Sequence, residues 1–132
     1  MKNLLLFISI FTIAFASCKK DQSATEILTS RNWKVTKWYE NEYDVTKPCV
    51  TDNTYQFFND GTFKLLTNDN ICFVGELSEY NGTWEITPDQ KRMNLIYPEH
   101  NFTYSVISLS TSRFEVQYQN DTATTRIIYT KK

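Results

Sequence analysis

Glycine is scarce in this chain: three occur in 132 residues, at Gly61, Gly75 and Gly82. They form neither a phosphate-cradling P-loop nor a dinucleotide fingerprint, both of which need glycines at fixed close spacing. Histidine is scarcer still. His100 is the only one, in the turn-like Pro98-Glu99-His100-Asn101, with no HExxH and no motif placing a Ser or Cys nucleophile beside it. Cys18, Cys49 and Cys72 include no C-x-x-C pair, so a closed zinc site lacks its ligands. The carboxylates Glu76, Glu79, Glu85 and Asp89 are scattered, and their spacing offers no glycosidase-type pairing. Excess charge is missing too: 14 basic and 15 acidic residues give a net charge of −1 with no block of one sign, which removes nucleic acid from the expected partners. These absences point away from catalysis and call for neither a cofactor nor a metal.

Long apolar runs are also missing. After Lys2, residues 4–16 carry no charge, and the small residues Ala16 and Ser17 follow. A bilayer crossing takes roughly 20 residues, so residues 1–17 read as a cleaved export signal. Cys18 stands at the break. Phe15-Ala16-Ser17-Cys18 resembles the lipobox of bacterial lipoproteins, in which the cysteine becomes the first mature residue and carries lipid. Phe15 replaces the usual leucine, in keeping with lipoprotein signals of the Bacteroidetes type. The resemblance implies a membrane partner reached through the lipid and an address in the bacterial cell envelope, at the outer membrane, on its periplasmic or surface face. Residues 18–22 would then be the lipidated cysteine and a polar tether, with the folded domain at 23–132. An ordinary secretory signal with a coincidental cysteine is the other reading.

Lipidation of Cys18 removes the odd thiol and leaves Cys49 and Cys72 for each other in an oxidising compartment. A bridge closing 23 residues contributes roughly 3 kcal/mol on the chain-entropy model. Two separate buried thiols are the alternative.

What is abundant is aromatic: 15% Phe, Trp and Tyr, enough for one modest core. Ser23-Ala24-Thr25-Glu26 has the form of a capping box before Ile27 and Leu28, which predicts one short helix. Strand patterns rich in aromatic and β-branched residues follow at 33–40, 54–58, 62–67, 80–87, 92–97, 102–109, 113–119 and 124–130. Asn59-Asp60-Gly61 predicts a tight hairpin, and Thr111-Ser112 and Asn120-Asp121 are weaker turn signals. No second helical pattern separates the strands, so neighbours are antiparallel. Eight such strands close into an up-and-down barrel or stop at a half-open sandwich.

Several short motifs in order resemble the lipocalin-like domains of exported Bacteroidetes lipoproteins. They are the helix ending in Leu28, Trp33 opening the first strand, Cys49 in Pro48-Cys49-Val50, the hairpin Phe58 to Phe63, Cys72, and Gly82-Thr83-Trp84. The resemblance spans Ile27 to Tyr118. It departs at Arg31-Asn32-Trp33, where the glycine of the first Gly-x-Trp is missing. It implies an all-β, eight-stranded antiparallel barrel, often hollow, with no defined ligand.

Alternation places Trp33, Tyr55, Phe57, Phe63, Trp84, Tyr97, Tyr104, Phe114 and Tyr118 inside. This set lines a pocket for a small hydrophobic ligand or simply fills a core. A second class of function is a non-enzymatic surface or periplasmic interaction module, or an inhibitor, that contacts protein or glycan through the loops at 44–53 and 68–79. Trp38, Tyr39 and Tyr43 near the first loop are either exposed for such contacts or cap the barrel mouth. Asp121-Thr122-Ala123 resembles the O-glycosylation signal of exported Bacteroidetes proteins, which would make Thr122 the modified residue. Nothing in the pattern calls for more than a monomer.

Overall fold

A computed structural model describes residues 21–132; the export signal and Cys18 lie outside the described residues. The capping box forms as the sequence predicts. Ser23 Oγ accepts from Glu26 N at 3.2 Å and Glu26 Oε2 accepts from Ser23 N at 2.7 Å, starting helix α1 (Ala24–Thr29). Its buried residues Ala24, Ile27 and Leu28 face the barrel.

Nine strands follow: β1 (Trp33–Glu40), β2 (Tyr43–Asp44), β3 (Thr54–Phe57), β4 (Thr62–Leu66), β5 (Glu79–Ile86), β6 (Arg92–Tyr97), β7 (His100–Leu109), β8 (Arg113–Gln119) and β9 (Thr124–Lys131). Apart from the two-residue β2, they form the expected eight-stranded antiparallel barrel, each strand beside its sequence neighbour and β9 returning to β1 from Trp33↔Lys131 to Glu40↔Thr125. Closure leaves no free edge among these strands to recruit another chain.

The seam between β1 and β3 is the weak one, with the single register pair Trp33↔Tyr55. Above it the strands part, and residues 45–53 fill the gap. Val45 N donates to Trp38 O at 2.9 Å and Thr46 Oγ1 accepts from Trp38 N at 2.9 Å, replacing ladder bonds. A one-turn helix, α2 (Pro48–Thr51), then brings Cys49 to Cys72, and the two are bonded. Neither β2 nor α2 was expected from the sequence.

The turns at 58–61, 87–91 and 110–112, helix α1 and the C-terminus gather at one end. Thr29 Oγ1 reaches Asn59 Oδ1 in the β3–β4 turn at 2.9 Å, which sets α1 on this end. The long connections at 41–53 and 67–78 lie at the other. At the α1 end the interior is filled: Trp33 meets Phe114 edge-on at 4.8 Å, Phe57 meets Trp84 edge-on at 5.3 Å, and Phe57 lies against Phe63 at 5.4 Å. Both indole N–H groups are satisfied there, Trp33 by Leu28 O at 2.9 Å and Trp84 by Phe58 O at 3.0 Å.

Two glycines carry specific duties. Gly61 turns the β3–β4 hairpin at φ 81°, a conformation that costs a side-chain-bearing residue. Gly82 is a site of close strand approach: a Cβ there would lie 2.0 Å from Ile96 O and 2.8 Å from Tyr97 Cβ. The Gly82→Ala substitution is therefore expected to lower unfolding free energy by about 2–3 kcal/mol, as overpacking against backbone does. Urea denaturation measures this; a loss under about 0.5 kcal/mol, the scatter of ordinary surface changes, would mean that β5 and β6 separate freely.

Candidate functional site

Above the filled end the barrel opens into a cavity of about 140 Å³. Its wall is made by Tyr55, Leu95, Ile127 and Tyr129 together with Tyr97, Phe102, Tyr104 and Tyr118, with Trp38 and Thr125 at the mouth. The aromatic rings brace one another: Tyr55 meets Tyr129 edge-on at 5.1 Å, Phe102 stacks with Tyr104 at 5.6 Å, and Tyr118 stands edge-on to Phe102 at 5.7 Å. Tyr129 also stacks on Phe114 at 4.2 Å, so the filled end is the cavity's floor.

Four of the nine residues that alternation placed inside line this cavity: Tyr55, Tyr97, Tyr104 and Tyr118. The other five, Trp33, Phe57, Phe63, Trp84 and Phe114, are inside but belong to the filled end. The two readings of the aromatic set thus divide along the barrel axis, with core below and pocket above.

Several wall residues were outside the expected set, and their signals are identifiable. A bulge between Val35 and Lys37 shifts the register of β1, so Trp38, rather than Lys37, follows Val35 toward the interior. Trp38 is half-buried at the mouth, so it caps the barrel instead of standing free. Phe102 shares the alternation of Tyr104 and could have been read from it. Ile127 and Tyr129 lie in the unbroken apolar run Ile127-Ile128-Tyr129, which shows no period. Of Trp38's neighbours, Tyr39 lies under the Arg126 guanidinium at 4.4 Å, whereas Tyr43 is 76% exposed.

A short polar chain fixes the backbone at Trp38. Lys37 Nζ donates to Asp44 Oδ2 at 2.6 Å, and Thr46 Oγ1 donates to Asp44 Oδ1 at 2.5 Å while accepting from Trp38 N. Lys37 and then Thr46 hold the Asp44 carboxyl down to about 2. The Trp38 indole N–H is buried with no hydrogen-bond partner among the described residues.

Electrostatically the cavity is a tyrosine nest. Burial raises the phenols of Tyr55, Tyr97, Tyr104 and Tyr129, with neighbouring tyrosines reinforcing it: Tyr80 for Tyr97, and tyrosines of the cavity for the other three. The charge that Tyr55 senses is the Glu76 carboxylate, which raises it further. These hydroxyls therefore stay protonated at any physiological pH.

The connection at 67–78 stands beside the mouth and is pinned rather than loose. Cys72 is bonded to Cys49, Asp52 Oδ2 accepts from Asn70 N at 3.0 Å and from Asn70 Nδ2 at 2.7 Å, and Asn68 Nδ2 donates to Asp52 O. Its tip displays Ile71, Phe73, Val74 and Leu77 to solvent, Val74 completely. His100 opens β7, exposed, with its ring stacked at 5.7 Å on Phe102. Thr122 is exposed in the β8–β9 turn, its hydroxyl donating to Asn120 Oδ1 at 3.0 Å. Among the described residues no three His, Cys, Asp or Glu side chains are grouped to hold a metal, and no helix is long and apolar enough to cross a membrane.

A family model described as a lipocalin-like domain matches residues 31–116. Among solved structures, a DUF4847 family protein from Bacteroides vulgatus is similar with a TM-score of 0.58 at 12% identity, over 83% of this chain and 98% of that one, a likeness of fold. No curated protein matches the chain in sequence.

The raised phenols make a pH prediction. Unfolded tyrosines ionise near pH 10, whereas those of the cavity stay protonated in the fold, so above pH 10 the folded state binds more protons and stability falls as pH rises. Absorbance at 295 nm, followed with and without Phe substitution at Tyr55, Tyr104 and Tyr129, should show these three phenols ionising only with loss of the fold. Their ionisation near pH 10 with the fold intact contradicts the nest.

Proposed function

The chain belongs to the lipocalin-like domain family, and from that premise we propose that it is a non-enzymatic binding protein whose barrel holds a small, predominantly apolar ligand. The observation that carries this reading is the cavity of about 140 Å³ walled by Leu95, Ile127, Phe102 and tyrosines. Apolar cavities near 150 Å³ hold one benzene-sized molecule. The lining carries no charged side chain and no nucleophile beside a base, which favours holding a ligand over transforming one.

We place this domain at the bacterial cell envelope, anchored through lipid on Cys18. The lipobox-like Phe15–Cys18 and the polar Lys19–Gln22 support that address. Helix α1 sits on the filled end, so a tether entering there leaves the cavity mouth pointing away from the membrane.

A second reading is favoured by one observation: Ile71, Phe73, Val74 and Leu77 form an apolar tip on a loop stapled by Cys49–Cys72. Rigidly held loops on a barrel suit contact with an envelope protein or glycan.

Fluorescence titration of the purified protein with toluene tests the first reading, because Trp38 at the mouth reports occupancy. Saturable one-to-one binding is expected with a dissociation constant near 1 mM or below, about −4 kcal/mol. Leu95→Trp, which fills the lumen, should abolish it. No saturable response, or an identical one in Leu95→Trp, contradicts the ligand reading and shifts weight to the loop.

A further inference from the structure

We propose that the cavity selects a neutral, single-ring ligand bearing a hydroxyl or carbonyl oxygen, recognised by the tyrosine hydroxyls of the nest. This rests on the ligand-binding reading above and adds the chemistry of the occupant.

Size comes first. About 140 Å³ matches one six-membered ring with a small substituent.

Polarity comes second. The side chains of Tyr55, Tyr104 and Tyr129 are largely buried and line the cavity, and their hydroxyls, which are not among the sealed-off polar atoms, are open to an occupant. A purely apolar lumen would use phenylalanine, as the filled end does with Phe57, Phe63 and Phe114. Trp38 adds a buried, unpartnered N–H beside the mouth. A ligand carbonyl or hydroxyl oxygen can accept from the Trp38 N–H or from a tyrosine hydroxyl, and a ligand hydroxyl can also donate to a tyrosine oxygen, since a phenolic O–H does either.

Charge comes third. No Lys, Arg or His lines the cavity, and the charged group that Tyr55 senses is the negative Glu76. An anionic ligand would be desolvated without a counter-ion, so a carboxylate is rejected. A cation has aromatic faces available but no carboxylate among the lining residues to pair with, so the neutral form remains the fitting one.

The test compares phenol, toluene, benzoate and benzylammonium by isothermal titration of the purified protein. Phenol and toluene have nearly the same shape, and a hydrogen bond of ordinary strength should favour phenol about 3–10-fold. The double variant Tyr104→Phe with Tyr129→Phe keeps the rings, so toluene binding and the unfolding midpoint should persist while the preference for phenol disappears. Toluene binding as tightly as phenol, a preference unchanged in the double variant, or tighter binding of benzoate or benzylammonium overturns this proposal but leaves the ligand reading standing. Absence of binding by every probe overturns both.

Discussion

Trp33 is the point on which the barrel depends. Its side chain is entirely buried, its N–H ties helix α1 through Leu28 O, its ring meets Phe114 of β8, and its backbone supplies the one pairing between β1 and β3 as well as a pairing to β9. One residue thus joins the helix to both sides of the weakest seam. Its neighbours Phe57, Phe63, Trp84 and Phe114 then have a fixed wall to pack against, and the filled end follows from their bulk.

A filled end at one side has a consequence for the other. Because Tyr129 rests on Phe114 and Tyr55 on Tyr129, the aromatic packing continues upward as tyrosine instead of phenylalanine. Each ring still buries its face, but each adds a hydroxyl that must sit in a low-dielectric space. Polarity therefore appears inside the barrel as hydroxyls alone, without charge. The parted β1 and β3 strands above Trp33 keep this half open, and the Cys49–Cys72 link, with α2 and Val45–Thr46 filling the gap, prevents the seam from spreading.

Most of the architecture was legible because the barrel strands are amphipathic with a period of two and their turns carry Asn, Asp and Gly. Phe114, Val116 and Tyr118 alternate with Glu115, Gln117 and Gln119, and the capping box at Ser23 announced the helix. The site was legible in half. Alternation says which side chains point inward, but not how far along the axis they lie, and axial position is what separates Phe57 in the floor from Tyr55 in the wall. Trp38 was hidden by a bulge, which inverts the alternation without any mark in the residue types. Ile127 and Tyr129 were hidden by Ile128, which is buried on the outer side and erases the period. The segment at 45–53 was irregular by pattern because its hydrogen bonds go to Thr46 and to one helical turn, local arrangements that no hydrophobic period encodes.

One chain thus builds a solid lower barrel and a hollow, tyrosine-walled upper one. Xenon distinguishes the two halves, since it enters apolar cavities of this size and is located in a crystal by its scattering. One xenon is expected among Leu95, Ile127, Tyr55 and Tyr104, and none beside Trp33 and Phe114. Xenon in the lower barrel, or none in the upper one, would contradict this division.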